Sequence, residues 1–444
     1  MNVRVVNPIC MVAIGLVCSL SVYGQSREEK VRNDKKRVEA EGFWIYNDLD
    51  KAYAQAKETG KPILVSLRCL PCEECVKLDD DLIDNDPVVR PLLDQFVCVR
   101  VVGTNGLDLR TFQYDTDQSF AMFMLAADKT VLGRFGTRSH RTEWHGDVSI
   151  QGMAEALKAA LTLHANYPSN KRFVAGKQGE ALEFETPEAY PLLKDKYTDR
   201  LNYEGDVVKS CIHCHQIGDA RREYYWSRSQ PIPDNLLFPY PHPKSIGLIL
   251  DPEKRATVKS VVADSPAERS GFQSGDDILL IDGQAMVSMA DVQWVLHHAN
   301  GQGDRLPVTL KRDDQSRTLE LVLPADWRRL DDPSWRVASW GMCRLMTGGM
   351  RLEALDEAER KQAGIHSGMA LRAKHVGQYG DHATAKRAGL VKGDIIVSYD
   401  GRTDFQREAD LFAYANENRK PGDKVVIEYL RGKQRKTATI PIQR

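Results

Sequence analysis

Two stretches in the C-terminal half of the chain repeat the same glycine spacing, and this repeat constrains the fold more than any other feature. In each copy Gly-Asp precedes an apolar strand and Asp-Gly follows it, which is typical of a tight hairpin. A constant offset between the copies predicts two copies of one structural unit. The matched glycines are Gly271, Gly275 and Gly283 in the first copy and Gly389, Gly393 and Gly401 in the second.

The repeated unit resembles the bacterial type of PDZ domain, with a first copy over 245–325 and a second over 335–444. PDZ domains bind an extended peptide as an added strand, and the amides of an apolar-Gly-apolar loop receive its terminal carboxylate. The resemblance therefore implies a peptide or protein partner. In the first copy it assigns peptide binding to Ile246, Gly247 and Leu248.

The apolar patterns of both copies predict a groove helix followed by a closing hairpin. The helix is expected at 290–298 in the first copy and at 408–416 in the second. In the second copy, either Trp340–Met342 or Gly349–Arg351 could form the carboxylate loop. The sequence does not choose between them, because segment 331–350 has no regular pattern. Cys343 in this segment is predicted to be a free thiol.

The segment 166–244 contains Cys211-Ile212-His213-Cys214-His215, preceded by a predicted helix at 192–209. Cys-x-x-Cys-His resembles the haem attachment sequence of c-type cytochromes. The resemblance implies a small, mostly helical segment that binds haem c covalently through Cys211 and Cys214, with His215 as the proximal iron ligand. His242 is the candidate distal ligand, because the segment contains no methionine.

Two other interpretations of this motif stay open. Cys211, Cys214, His215 and His242 could hold a tetrahedral zinc ion, although zinc fingers usually space the second ligand pair more closely. The two thiols could also form a plain disulfide. Either alternative would remove the iron chemistry and leave a structural site.

A second group of cysteines follows an apolar strand over 63–67 that is itself preceded by a helical pattern over 44–59. Strand, Cys-x-x-Cys loop and helix together resemble the thioredoxin-like family over 40–165. In that arrangement the helix N-terminus favours the thiolate of the first cysteine. The resemblance implies a catalytic dithiol at Cys72 and Cys75, with Cys69 as the alternative partner. Ser119-Phe120 stands where the family has a cis-proline.

The first 24 residues predict export. Arg4, the apolar run from Ile9 to Leu20 and the small residue Gly24 match a cleavable signal peptide, so the predicted location is periplasmic or secreted. A membrane association is expected only if this segment stays uncleaved. With 61 basic and 62 acidic residues, the chain is not expected to bind nucleic acid.

These features predict a multidomain fold with α/β and β-rich parts: a thioredoxin-like α/β domain, a haem segment, and two PDZ-like partly open β-barrels with helices. The predicted function is an exported redox protein that transfers electrons or exchanges disulfides with a redox partner or a peptide held by the PDZ domains. The alternative is a non-enzymatic scaffold or a haem-based sensor. Serine protease activity is not expected, because no glycine-rich elbow carries a serine nucleophile.

Overall fold

The structure is a computed structural model that describes residues 26–68, 86–118, 120–137 and 146–444. The predicted signal peptide at 1–24 and the predicted dithiol residues Cys69, Cys72 and Cys75 lie outside the described residues. Within the described ranges, no helix combines the length and the hydrophobicity needed to cross a membrane.

The N-terminal domain is built on a five-stranded sheet with the order β1-β3-β2-β4-β5. β1, β2 and β3 are parallel, and β4 is antiparallel to both β2 and β5. β2, β3 and β4 are buried along their whole length, which explains why their sequences are mostly apolar, with the buried Ser66 and Arg100 as exceptions. The strands are β1 (Ile45–Tyr46), β2 (Ile63–Leu67), β3 (Val97–Val101), β4 (Phe120–Leu125) and β5 (Val131–Thr137).

The described residues of this domain include the helices α1 (Arg27–Glu41), α2 (Leu49–Thr59), α3 (Arg90–Leu93) and α4 (Ile150–Ala165). α2 begins later than the predicted position 44, because Asp48 caps it by accepting the Lys51 N–H at 2.9 Å. α1 was not predicted. It carries a Ser26/Glu29 capping box, and its Asp34 forms a 2.7 Å ion pair with the buried Arg68 guanidinium.

The middle segment is less helical than predicted. It contains α5 (Cys214–Trp226) and α6 (Asp234–Leu237), and most of the remainder consists of turns and single 3-10 turns. The helix predicted at 192–209 is wrong. Polar side chains there bond the backbone locally instead, since Asn202 Oδ1 accepts the Gly205 N–H and Ser210 Oγ accepts the Asn202 N–H.

The first repeat forms a two-stranded sheet, β6-β7, and a four-stranded sheet in the order β11-β10-β8-β9. Its groove helix confirms the predicted range 290–298 to within one residue, and β10 and β11 form the predicted closing hairpin. The strands are β6 (Leu248–Leu250), β7 (Val258–Val261), β8 (Asp277–Ile281), β9 (Gln284–Ala285), β10 (Asp304–Arg312) and β11 (Gln315–Leu323), and the helices are α7 (Pro266–Arg269) and α8 (Met289–His298).

The second repeat forms one five-stranded sheet in the order β12-β13-β14-β15-β16. Its groove helix is α12 (Glu408–Asn418), as predicted. The segment that lacked a regular pattern contains the unpredicted helix α9 (Ser339–Thr347). The other elements are α10 (Glu357–Gln362), α11 (Thr384–Arg387), β12 (Met350–Ala354), β13 (Leu371–Val376), β14 (Ile395–Tyr399), β15 (Lys424–Arg431) and β16 (Gln434–Pro441).

The groove helix of the first repeat is packed between its own domain core and the N-terminal domain. Asp291 on α8 accepts from the buried Lys177 ammonium at 2.6 Å. Trp294 Nε1 donates to the Gly176 carbonyl at 2.9 Å. A Cβ on Gly133 of β5 would lie 2.8 Å from Val287, just before α8. The N-terminal domain and residues 176–177 of the middle segment therefore hold this helix in place.

Candidate peptide-binding grooves and the Cys-x-x-Cys-His motif

The residues before β6 form the loop that the sequence predicts for carboxylate binding. Pro243–Ile246 make a 3-10 turn, and Gly247 follows with a left-handed φ of 80°. A Cβ on Gly247 would lie 2.2 Å from the Ser265 side chain, so both conformation and space require glycine. Ile246 and Leu248 are buried in the core of this repeat. The three predicted residues thus lie at the end of the 3-10 turn and the start of β6.

β6 presents a strand edge on the side away from β7. The Val262 N–H donates to the Gly247 carbonyl at 2.9 Å. Because bonded and non-bonded pairs alternate in an antiparallel ladder, Leu248 directs its own N–H and C=O away from β7. Among the described strands, β6 pairs with β7 alone. An added peptide strand could therefore bond Leu248 beside the loop.

His242, the candidate distal iron ligand, lies in this same loop. Its Nδ1 accepts the Lys244 N–H at 3.1 Å, so the ring caps the 3-10 turn that leads to Gly247. Its backbone N–H is directed at Asp331 Oδ1 at 3.4 Å. The buried His242 therefore positions the loop of the first repeat, a role that sequence reasoning missed.

The Cys-x-x-Cys-His motif packs against the N-terminal domain at the start of α5. Cys211 is buried, and its Sγ lies 3.8 Å from the Val102 carbonyl and 3.1 Å from the position of a Cβ on Gly103. Cys214 is the first residue of α5 and packs against the apolar core of the N-terminal domain. The motif thus joins the middle segment to the sheet.

His215 faces outward from this junction rather than inward. Its side chain is 39% exposed, and Nδ1 lies 3.4 Å from Asp219 Oδ2, one turn further along α5. The neighbouring His213 precedes α5 as its N-cap, and its ring is stacked 6.0 Å from that of His215. Both imidazoles are therefore engaged within the motif and its helix.

The space at the motif does not fit a haem in this conformation. The cavity lined by Leu67, Arg68, 101–104 and 211–214 measures about 10 Å³, whereas sites for ligands of drug size span roughly 300–1,000 Å³. His242 does not line it. Within the described residues, no group of three or more His, Cys, Asp or Glu side chains could hold a metal ion, which leaves the zinc alternative without support. Haem c stays a prediction from the motif.

Alkylation of Cys211 is expected to be at least 100-fold slower in the native protein than in the urea-unfolded chain. Burial raises the pKa of the Cys211 thiol to about 12, so very little reactive thiolate exists at pH 8. Iodoacetamide labelling followed by mass spectrometry of the peptide 210–221 measures both rates. Equal rates would contradict the burial of this thiol. The mass of the same peptide from exported protein tests for covalent haem.

The groove of the second repeat contains a buried carboxylate. Glu408, the first residue of α12, is 6% exposed, and its Oε1 accepts the N–H of Leu352 on β12 at 2.6 Å. Oε2 has no hydrogen-bond partner among the described residues. Burial raises the pKa of Glu408 to about 7, while the Leu352 N–H and the nearby Arg351 lower it and Asp332 raises it. The carboxylate is therefore held in an environment that disfavours its charge.

Replacing Glu408 with glutamine is expected to stabilise the protein more at pH 8 than at pH 5. An unfolded Glu titrates near 4.3, so the native state loses stability as pH rises from about 4.3 to about 7 and the buried group ionises. The stability gain of Glu408→Gln over wild type should grow by about 2 kcal/mol between the two pH values. Urea unfolding measures it, with the exposed Glu417→Gln on the same helix as the control. A gain that does not change with pH would refute this expectation.

Family models match both the N-terminal and the C-terminal parts of the chain. A thioredoxin-like model matches residues 44–127. A PDZ model matches twice, at 244–323 and at 378–442. The chain carries a thioredoxin-like domain and two PDZ domains. The 3-10 loop, β6 and α8 thus belong to the first PDZ domain, and α12 belongs to the second. β12 precedes the second matched range and forms the edge of the same five-stranded sheet.

Several curated proteases are similar to part of the chain. A probable periplasmic serine endoprotease DegP-like from Marinomonas sp. (strain MWYL1) is 27% identical over 153 residues, which is 34% of this chain and 30% of that protein. The serine protease Do-like HtrB of Bacillus subtilis (strain 168) is 34% identical over 70 residues, covering 16% and 15%. The chain spans at most 30% of the length of these curated relatives.

The solved structures that resemble this chain include an HtrA-type protease AlgW with tripeptide. It has a TM-score of 0.20 and 16% identity, and the match covers 32% of this chain and 53% of that one. The same protease with a decapeptide has a TM-score of 0.20 and 16% identity, with 32% and 49% covered.

The comparisons correct the predicted function. The curated relatives are DegP-like and Do-like serine proteases, and the matching family models are thioredoxin-like and PDZ. The prediction of an exported redox protein that transfers electrons or exchanges disulfides is therefore wrong. The predicted periplasmic or secreted location is supported, because relatives from Marinomonas sp. and Haemophilus influenzae are named as periplasmic. The two PDZ domains imply that the chain binds a peptide or protein partner.

Proposed function

We propose that this chain is a periplasmic peptide-binding protein whose first PDZ domain captures the C-terminus of an exported protein. The observation that carries the proposal is the loop 243–247, which ends in a left-handed Gly247 directly before the unpaired edge of β6. Amides of such a loop can receive a terminal carboxylate, and the strand edge can bond the peptide backbone.

The thioredoxin-like domain and Lys177 of the middle segment serve this function as a rigid support for the groove helix. The Lys177–Asp291 ion pair is buried on both sides, and the Arg134 guanidinium lies 3.6 Å from the Trp294 ring centre. A helix that is fixed from behind loses little conformational freedom when a peptide binds, which favours affinity. Recognition of a protein segment is also what the serine protease relatives suggest, because a protease must bind its protein substrate.

The test compares free and amidated peptide termini. Fluorescence anisotropy with a library of labelled heptapeptides on the full exported chain should identify ligands whose amidated versions bind at least ten-fold more weakly, since amidation removes the carboxylate. Equal binding of both forms would overturn the proposal. Cleavage of the bound peptides by the purified chain would also overturn it in favour of a protease.

A further inference from the structure

The second PDZ domain differs from the first because a helix of the same chain fills one half of its groove. α9 packs against both β12 and α12, and its Met342, Leu345 and Met346 are buried in the domain core. The loop between α9 and β12 is satisfied internally, since the Gly349 N–H donates to the Cys343 carbonyl at 2.8 Å. The Gly349 amide is therefore already engaged and does not face a terminal carboxylate.

The other half of the groove is an open cavity of about 310 Å³. Its walls are 351–354 of β12, the first residues of α12 and the chain segment 330–334, and Lys374 lies at its side. Glu408 lines this cavity. Its carboxylate oxygen Oε2 is buried and has no hydrogen-bond partner among the described residues. A buried carboxylate oxygen without a donor is unfavourable, so a ligand that supplies one is stabilised there.

The other charged groups around the cavity already have partners. Lys374 bonds Glu353 at 3.2 Å, and Arg407 bonds Asp410 at 3.1 Å. Arg351 donates to the Ser334 carbonyl. Asp331 lies 3.9 Å from Arg336. Asp332 accepts from the backbone and the hydroxyl of Ser334 and adds a negative charge close to Glu408.

We infer that this cavity binds the lysine or arginine side chain of an extended peptide, with Glu408 as the residue that selects the cation. An ammonium or guanidinium group would donate to Oε2 and neutralise the buried charge, which makes the hydrogen bond stronger than one to a neutral group. A metal ion is not the ligand, because the described residues offer no three-ligand group. This inference concerns the second groove and does not depend on the proposed function of the first.

The experiment uses labelled heptapeptides with amidated C-termini, so that the carboxylate loop of the first PDZ domain contributes nothing. Peptides with a central lysine or arginine should bind at least ten-fold more tightly than the same peptides with norleucine. Glu408→Gln should remove this preference while keeping the acceptor for the Leu352 N–H, and Glu417→Gln on the same helix should keep it. Unfolding curves of each variant confirm that the groove is intact.

Three outcomes would overturn the inference. Equal affinity for lysine and norleucine peptides would exclude a cation site. A lysine preference that survives in Glu408→Gln would place the site elsewhere. The third outcome is competition by a small amine. If n-butylamine displaced the labelled lysine peptide at the same concentration as the unlabelled peptide does, the cavity would bind a small amine rather than a peptide.

Discussion

Replacing Arg336 with methionine is expected to lower the free energy of unfolding by about 3–5 kcal/mol. The guanidinium is 3% exposed and bonds Asp115 Oδ1 at 2.6 Å, and it lies 3.5 Å from Asp117 Oδ2. It also donates to the Pro239 carbonyl. Without this cation, two carboxylates stay buried at the junction between the thioredoxin-like domain and the segment before α9, which is far more costly than losing the ion pair alone.

Urea unfolding and limited proteolysis measure this effect. The matched control is Arg305→Met, which removes an ion pair with Glu320 of similar length, 2.7 Å, but with side chains 67% and 52% exposed. An exposed pair contributes less than about 1 kcal/mol. A loss in Arg336→Met no larger than in Arg305→Met would show that this junction is solvated. The loss of unfolding free energy in Arg336→Lys should lie between the losses in these two variants, because lysine keeps the positive charge but lacks the planar guanidinium group.

The second large effect is expected for Gly247→Ala, which should destabilise the first PDZ domain by about 2–4 kcal/mol and abolish peptide binding there. The added Cβ would meet both Cβ and Oγ of Ser265 at 2.2 Å, and the φ of 80° is itself unfavourable for alanine. Ser265 cannot move freely, because its Oγ caps α7 by accepting the Glu268 N–H. The loop must therefore shift away from β6.

Calorimetry and peptide anisotropy test this prediction together. Gly283→Ala is the control, since Gly283 also has a positive φ, 71°, but nothing lies within 4 Å of its Cβ position. That variant should show only the conformational cost of about 1 kcal/mol and bind peptide normally. Equal effects of the two variants, or normal peptide binding by Gly247→Ala, would contradict the role assigned to the loop.

The sequence was most informative where the signal is local. The glycine repeat, the Asp-Gly turns and the apolar alternation predicted both PDZ domains, the groove helices α8 and α12, and the loop at Ile246, Gly247 and Leu248. Each of these features depends on residues close together in the chain, such as a glycine with positive φ next to a strand. For that reason a single sequence could place them.

The haem predicted from Cys211-Ile212-His213-Cys214-His215 stays a prediction, because this motif alone does not determine whether a haem can bind. The spacing is that of a haem attachment sequence, but spacing says nothing about the room around the thiols. In the fold, Gly103 and Val102 of the neighbouring domain lie directly against Cys211. A short motif therefore predicted chemistry that depends on packing from residues about a hundred positions away in the chain.

The sequence by itself determined the order of the domains, a thioredoxin-like domain followed by two PDZ domains. This was possible because the patterns of strands, helices and turns depend on residues that are close together in the chain. Only the tertiary structure decided how each groove is surrounded, since α9 fills half of the second groove and the thioredoxin-like domain packs behind α8 of the first. The tertiary structure also determined that the Glu408 carboxyl group is buried and that its pKa is raised. Burial sets the energy of a carboxylate, and burial is produced by residues that meet only when the chain has folded.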